Sequence, residues 1–156
     1  MRRNSLKALY LITVALAFAA CNRNAIYSHY QPIDVAGWQR ADTVSFVMPP
    51  ITHAGYYDET LGLRIDGDFP FTQLTLIVEQ QARPSGLART DTVVATLTDK
   101  KGIILGNGIN LYVYNMPMPK MKLLKDDTLS IHVRHDMLRD PLPGITDVGF
   151  TLTKKF

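Results

Sequence analysis

Between residues 22 and 156, no window of eleven or more residues carries the 3.6-residue apolar period of a surface helix. What recurs is two-residue alternation in short stretches bounded by turn residues, which confines the chain to all-β architectures. Thr43–Met48 alternates and is halted by Pro49-Pro50, which cannot donate to a sheet ladder. Tyr56–Ile65 puts Leu61, Leu63 and Ile65 on one face and Arg64 on the other. Thr72–Gln80 sets Leu74, Leu76 and Val78 against Thr75 and Glu79. Further strands are expected at Asp91–Leu97, Ile103–Leu105, Ile109–Tyr114, Thr128–Arg134 and Val148–Leu152. Asp66-Gly67-Asp68, Pro84-Ser85-Gly86 and Asp99-Lys100-Lys101-Gly102 have turn chemistry, and Gly106-Asn107-Gly108 reads as a bulge or tight bend. Asn115–Lys125, with Pro117 and Pro119, reads as a loop or edge segment lying across the core; its methionines would also suit a partner surface. Seven to nine strands predict a single antiparallel β-sandwich, with an open barrel as the alternative.

The N-terminus dictates where this domain lives. Arg2, Arg3 and Lys7 precede the apolar run Ala8–Ala20, and Ala19-Ala20 stand directly before Cys21. That is the layout of a secretory signal, too short for a permanent bilayer span. Cys21, the one cysteine of the chain, falls where a bacterial lipoprotein signal places its lipid acceptor. Diacylation would consume a thiol that is awkward in an oxidising compartment, and several acyl chains anchor stably where one does not. The expected organisation is a lipoprotein signal peptide at 1–20, a lipidated N-terminus and tether at 21–31, and a β-sandwich domain at 32–156. Asn22-Arg23-Asn24 contains no acidic run, which predicts an outer-membrane protein facing the periplasm.

Cleavage changes the charge argument. The chain has 17 Lys and Arg against 14 Asp and Glu; losing Arg2, Arg3 and Lys7 leaves 14 of each. The basic pI of 9.0 therefore derives largely from the signal, and no nucleic-acid partner is expected.

Reaction chemistry is sparse. His132 and His135 are three apart, so a strand would turn them to opposite faces; a metal site would have to recruit His53 or an aspartate. The two glutamates, Glu59 and Glu79, define no carboxylate pair. Asp66-Gly67-Asp68 lacks the closing glutamate of a calcium loop, Gly102–Gly108 opens no helix, and Ser85 lacks the glycines of a nucleophile elbow. No enzyme, metal or cofactor is expected beyond the covalent lipid on Cys21. Trp38 reads as a core-edge residue or, with Tyr56 and Tyr57, as a stacking platform of a glycan-binding module.

The most distinctive text is His135-Asp136-Met137-Leu138-Arg139 followed by Leu142-Pro143-Gly144-Ile145-Thr146-Asp147-Val148-Gly149. With the cysteine signal, Leu63-Arg64-Ile65 leading to Phe69-Pro70-Phe71, Leu97-Thr98-Asp99 and the spaced glycines, the chain resembles the GldH family of gliding-motility lipoproteins. The resemblance implies a non-catalytic, membrane-anchored accessory of the gliding machinery and its linked secretion system, with envelope proteins as partners. His135, Asp136, Arg139 and Asp147 then become candidates for a polar partner-binding loop. Alternatively, Asp136 or Asp147 pairs with Arg139 or Arg64 to pin that loop.

Overall fold

The computed structural model describes residues 25–154, which form eight strands and no helix. They are β1 (Ala25–Pro32), β2 (Val44–Val47), β3 (Gly55–Asp66), β4 (Gln73–Arg83), β5 (Ala88–Thr96), β6 (Leu111–Leu123), β7 (Thr128–His135) and β8 (Ile145–Lys154). They make two four-stranded sheets, ordered β1-β8-β3-β6 and β2-β7-β4-β5, with every pairing antiparallel. The expected sandwich is the observed one. Alternation sets the inward faces: Tyr57, Leu61, Leu63 and Ile65 of β3 and Val148, Phe150 and Leu152 of β8 meet Leu74, Leu76 and Val78 of β4 and Leu129, Ile131 and Val133 of β7. Each such side chain contributes about 1.5–3 kcal/mol by leaving water.

Three expectations are corrected. Residues 25–32 are not tether but strand β1, paired with β8 from Ala25↔Thr153 to Pro32↔Asp147. Of the two readings of Asn115–Lys125, the loop is overturned and the edge segment holds: Asn115–Leu123 continues β6, an edge strand that runs along β3. There Met118 opposes Glu59 and Met121 opposes Tyr57, so Pro119 falls in a bulge of an edge strand, where a missing N–H costs least. Ile103–Leu105 forms no full strand; Ile104 makes a single bridge to Thr98, and Asp99 Oδ1 accepts from the N–H groups of Lys101 and Ile103 to close the tight turn.

The gap between the edge strands β5 and β6 is closed by charge. Glu59 of β3 points into the sandwich and is fully buried, ion-paired to Arg89 of β5. Arg89 Nε also lies 2.6 Å from Asp91 Oδ2, and Arg89 Nη1 donates to the Lys120 carbonyl of β6 at 3.3 Å. Burial pushes the Glu59 carboxyl above the usual carboxylate range, against the lowering influence of Gln80 and Arg89. Gln80 lies near enough to act on it, yet Glu59 Oε1 and both Gln80 amide atoms lack a directed hydrogen bond, and the Arg89–Asp91 contact is close without being well aligned.

The strand directions give the sandwich two different ends. Ala25, the end of β8 and the connections 48–54, 84–87 and 124–127 share one end; the connections 33–43, 67–72, 97–110 and 136–144 share the other. Ala25 comes four residues after Cys21. With the lipid expected on Cys21, the end that holds Ala25 is termed the anchor-side end and the other the far end.

Candidate functional site

The four sequence-selected residues do not form one loop. His135 is the last residue of β7 and turns inward, fully buried. Its Nδ1 accepts the Met137 N–H at 3.3 Å, so the neutral ring carries its proton on Nε2 and donates to the Trp38 carbonyl at 3.1 Å. The Trp38 indole packs edge-on against it, with centroids 5.3 Å apart. Burial pushes the His135 pKa down, against the Trp38 carbonyl bond that favours the charged ring. A residue held this way is core, and His135 leaves the list of partner-binding groups.

Asp136 and Arg139 do stand exposed at the far end. Asp136 pairs with Arg40 at 3.1 Å, and the Arg40 N–H donates to Asp140 Oδ1. For Asp136 the partner is thus Arg40 rather than Arg139 or Arg64, whereas the expected Asp147–Arg64 pair does form; pairs this open to water contribute at most about 1 kcal/mol. Asp147 lies apart, on the outer face of the β1-containing sheet. There Arg64 approaches it at 3.8 Å and stacks over the Tyr30 ring at 4.1 Å. Tyr30, Gly149 and Gly62 are register neighbours across β1, β8 and β3. The Tyr30 side chain lies across both glycines: a β-carbon would come within 2.6 Å of the ring at Gly149 and 2.4 Å of the hydroxyl at Gly62. The distinctive Asp147-Val148-Gly149 text and the Arg64 strand therefore meet as one polar–aromatic device on a sheet face.

Gly144 explains the Pro143-Gly144 pair. Its φ of +81° is in the left-handed region, and a β-carbon would stand 2.4 Å from the Phe69 nitrogen. Gly144→Ala is expected to destabilise by more than ~2 kcal/mol, since backbone strain and collision add; a urea midpoint unchanged from the parent chain would contradict this.

The other candidates separate as well. Trp38 and Tyr57 are buried, the Tyr57 hydroxyl donating to the His53 carbonyl, while Tyr56 alone is exposed. The three rings cannot form the glycan platform. His132 faces outward against Ser45 at 2.9 Å, on the opposite face from His135, and His53 is at the anchor-side end. Among the described residues no three His, Cys, Asp or Glu side chains gather as metal ligands. Cys21 lies outside the described residues.

What sequence reading missed is an apolar tip. Ile103, Ile104, Leu105 and Ile109 of the 97–110 connection are all exposed, Ile109 at 86%, with Leu138 and Val35 exposed on neighbouring far-end loops. The apolar run Ile103–Leu105 had suggested a strand; the available signal was the glycines at 102, 106 and 108, which isolate these side chains from the core.

Two relatives are similar over almost their whole length. The gliding motility lipoprotein GldH of Flavobacterium johnsoniae is 25% identical over 152 residues, covering 93% of this chain and 94% of that protein. A gliding motility lipoprotein GldH homolog of Christiangramia forsetii is 25% identical over 161 residues, covering 97% and 98%. Among solved structures, a family GH115 4-O-methyl-α-glucuronidase aligns with 87% of this chain and 18% of its own, at 10% identity and a TM-score of 0.47. The family profile described as GldH lipoprotein matches residues 25–152, from the first residue of β1 almost to the end of β8. With that match spanning both sheets and both stretches of distinctive text, this chain belongs to the GldH lipoprotein family.

Proposed function

We propose that this chain is a non-catalytic accessory of the gliding machinery and its linked secretion apparatus, held by covalent lipid on Cys21 at the periplasmic face of the outer membrane. It works by gripping an envelope protein partner with the far end of the sandwich. The observation that carries this is the exposed apolar tip of the 97–110 connection, displayed on a rigid scaffold at the end remote from the anchor. Asp136, Arg139 and Lys100 stand exposed on the same end and supply polar groups of the kind that rim a protein interface. Membership of a family named for gliding-motility lipoproteins supports the setting. The burial of Trp38 and Tyr57 counts against the glycan-binding alternative.

The test is cross-linking of the tagged full-length protein in intact cells, with mass spectrometry of what is captured. Ile109→Asp is expected to remove the captured envelope proteins while leaving the urea midpoint unchanged, because the side chain is already in water. Cys21→Ala should remove them by mislocalising the protein. Capture that persists undiminished in Ile109→Asp would rule out the far end as the contact surface.

A further inference from the structure

The short reach from Cys21 to β1 constrains the opposite end of the molecule. Whatever conformation residues 21–24 adopt, four residues extend at most about 14 Å, so an anchor on Cys21 holds the start of β1 close to the headgroups. That start shares an end with the 84–87 and 124–127 turns. The two turns are locked together: buried Asp127 accepts N–H bonds from Ser85 and Leu124, each at 2.9 Å. Burial would raise the Asp127 pKa, but those bonds outweigh it and hold the carboxyl below the usual range. The exposed groups around the turns are Arg83, Lys122 and Lys125, with Leu87 and Leu124 between them and Asp126 as the one exposed acid of the two turns. The far-end loops instead carry six acids, Asp34, Asp42, Asp68, Asp99, Asp136 and Asp140, against four bases, Arg40, Lys100, Lys101 and Arg139. The far-end loops therefore carry a net charge of −2, while Arg83, Lys122 and Lys125 against Asp126 and Asp127 give the two turns and their strand ends a net +1, so the ends differ in sign.

We propose that this basic end is a membrane-contact surface that lies on anionic phospholipid headgroups, with Arg83, Lys122 and Lys125 on the phosphates and Leu87 and Leu124 entering the interface. The proposal rests on the lipid anchor at Cys21. The anchor supplies the affinity, and the charges and leucines set the orientation, standing the sandwich upright so that the far-end loops project away from the bilayer. A tethered domain without such a contact would tumble about its linker and present its tip in all directions.

The experiment uses the full-length acylated protein in vesicles of phosphatidylethanolamine with or without phosphatidylglycerol. Because lipid occupies the Cys21 thiol, a single introduced cysteine can be spin-labelled selectively. Labels are placed in separate chains by Ala54→Cys, in the anchor-side 48–54 connection, or by Leu138→Cys at the far end. A nickel-chelating headgroup is expected to relax the Ala54→Cys label severalfold more than the Leu138→Cys label in phosphatidylglycerol vesicles. The contrast should shrink in vesicles without that lipid and in the Lys122→Glu, Lys125→Glu double variant. Acylated protein whose two labels relax equally, or whose contrast ignores the charge reversal, overturns the proposal and leaves the anchor standing. Absence of acyl mass on the Cys21 peptide overturns the anchor and the proposal together.

Discussion

Arg89→Ala is expected to lower the unfolding free energy by about 3–5 kcal/mol at neutral pH, because it leaves the fully buried Glu59 carboxylate without its counter-charge. The deficit has a predictable pH dependence. Burial holds the folded pKa of Glu59 above its ordinary value of 4.5, despite the lowering pull of Gln80 and Arg89. A carboxyl raised on folding favours the folded state below its unfolded pKa, and that contribution is lost as pH rises through the folded pKa. Removing Arg89 raises the folded pKa further, so the Arg89→Ala penalty should shrink from neutral pH down towards pH 4.5, as Glu59 takes up a proton. Urea unfolding at the two pH values measures it. Replacing both partners, Glu59→Leu with Arg89→Leu, should recover most of the loss, since an apolar pair escapes the desolvation of two charges. A single-variant cost below ~1 kcal/mol would mean that water reaches the carboxylate.

Trp38→Ala is the second large effect, expected to cost about 3–5 kcal/mol from the lost burial and the cavity beneath the far-end loops. Trp38 also joins two connections, its N–H donating to the Leu142 carbonyl and its own carbonyl accepting from the Leu142 N–H. Its ring shields His135, so removing it relieves the desolvation that depresses the His135 pKa and moves that pKa up towards its ordinary value. In the parent chain, a histidine depressed on folding contributes stability that is present above its unfolded pKa of 6.5 and lost as pH falls through the folded value. Trp38→Ala should therefore be less stable overall but less acid-sensitive at this residue. Nuclear magnetic resonance titration of the His135 ring reads the shift directly; an unmoved titration would show that Trp38 does not control the ring's solvation.

The parts of the fold legible in the sequence were those where one strand face is in water and the other in the core. Leu61, Leu63 and Ile65 or Leu74, Leu76 and Val78 announce themselves because their alternate neighbours are polar. Strand β1 was hidden because it is an edge: Tyr27 is half-buried, His29 and Ser28 are exposed, and the polar run Tyr27–Gln31 looks like linker. Strand β6 was hidden by Pro117 and Pro119, which exclude a central strand but not an edge strand with a bulge. The Glu59 cluster left one trace, a charge in the inward phase of β3 between Tyr57 and Leu61, but its partners come from β4 and β5, and no local pattern names them. The same distance effect misplaced His135. Its neighbours Asp136 and Arg139 are surface residues, and only the long-range meeting with Trp38 makes it core.

Under the proposed anchor on Cys21, one feature of the topology acquires a mechanical meaning. Strand β1 hangs on the rest of the molecule through its ladder with β8, the last strand of the chain. A pull arriving through residues before Ala25 runs along β1, and a load taken up by the far-end loops runs the opposite way through β8 and β3. The β1–β8 ladder is then loaded in shear, its hydrogen bonds strained side by side instead of unzipped one after another. Tension between the proposed anchor and the proposed contact tip would have to rupture the whole row at once, and the polar edge strand that looked like a tether would be the clamp that bears it.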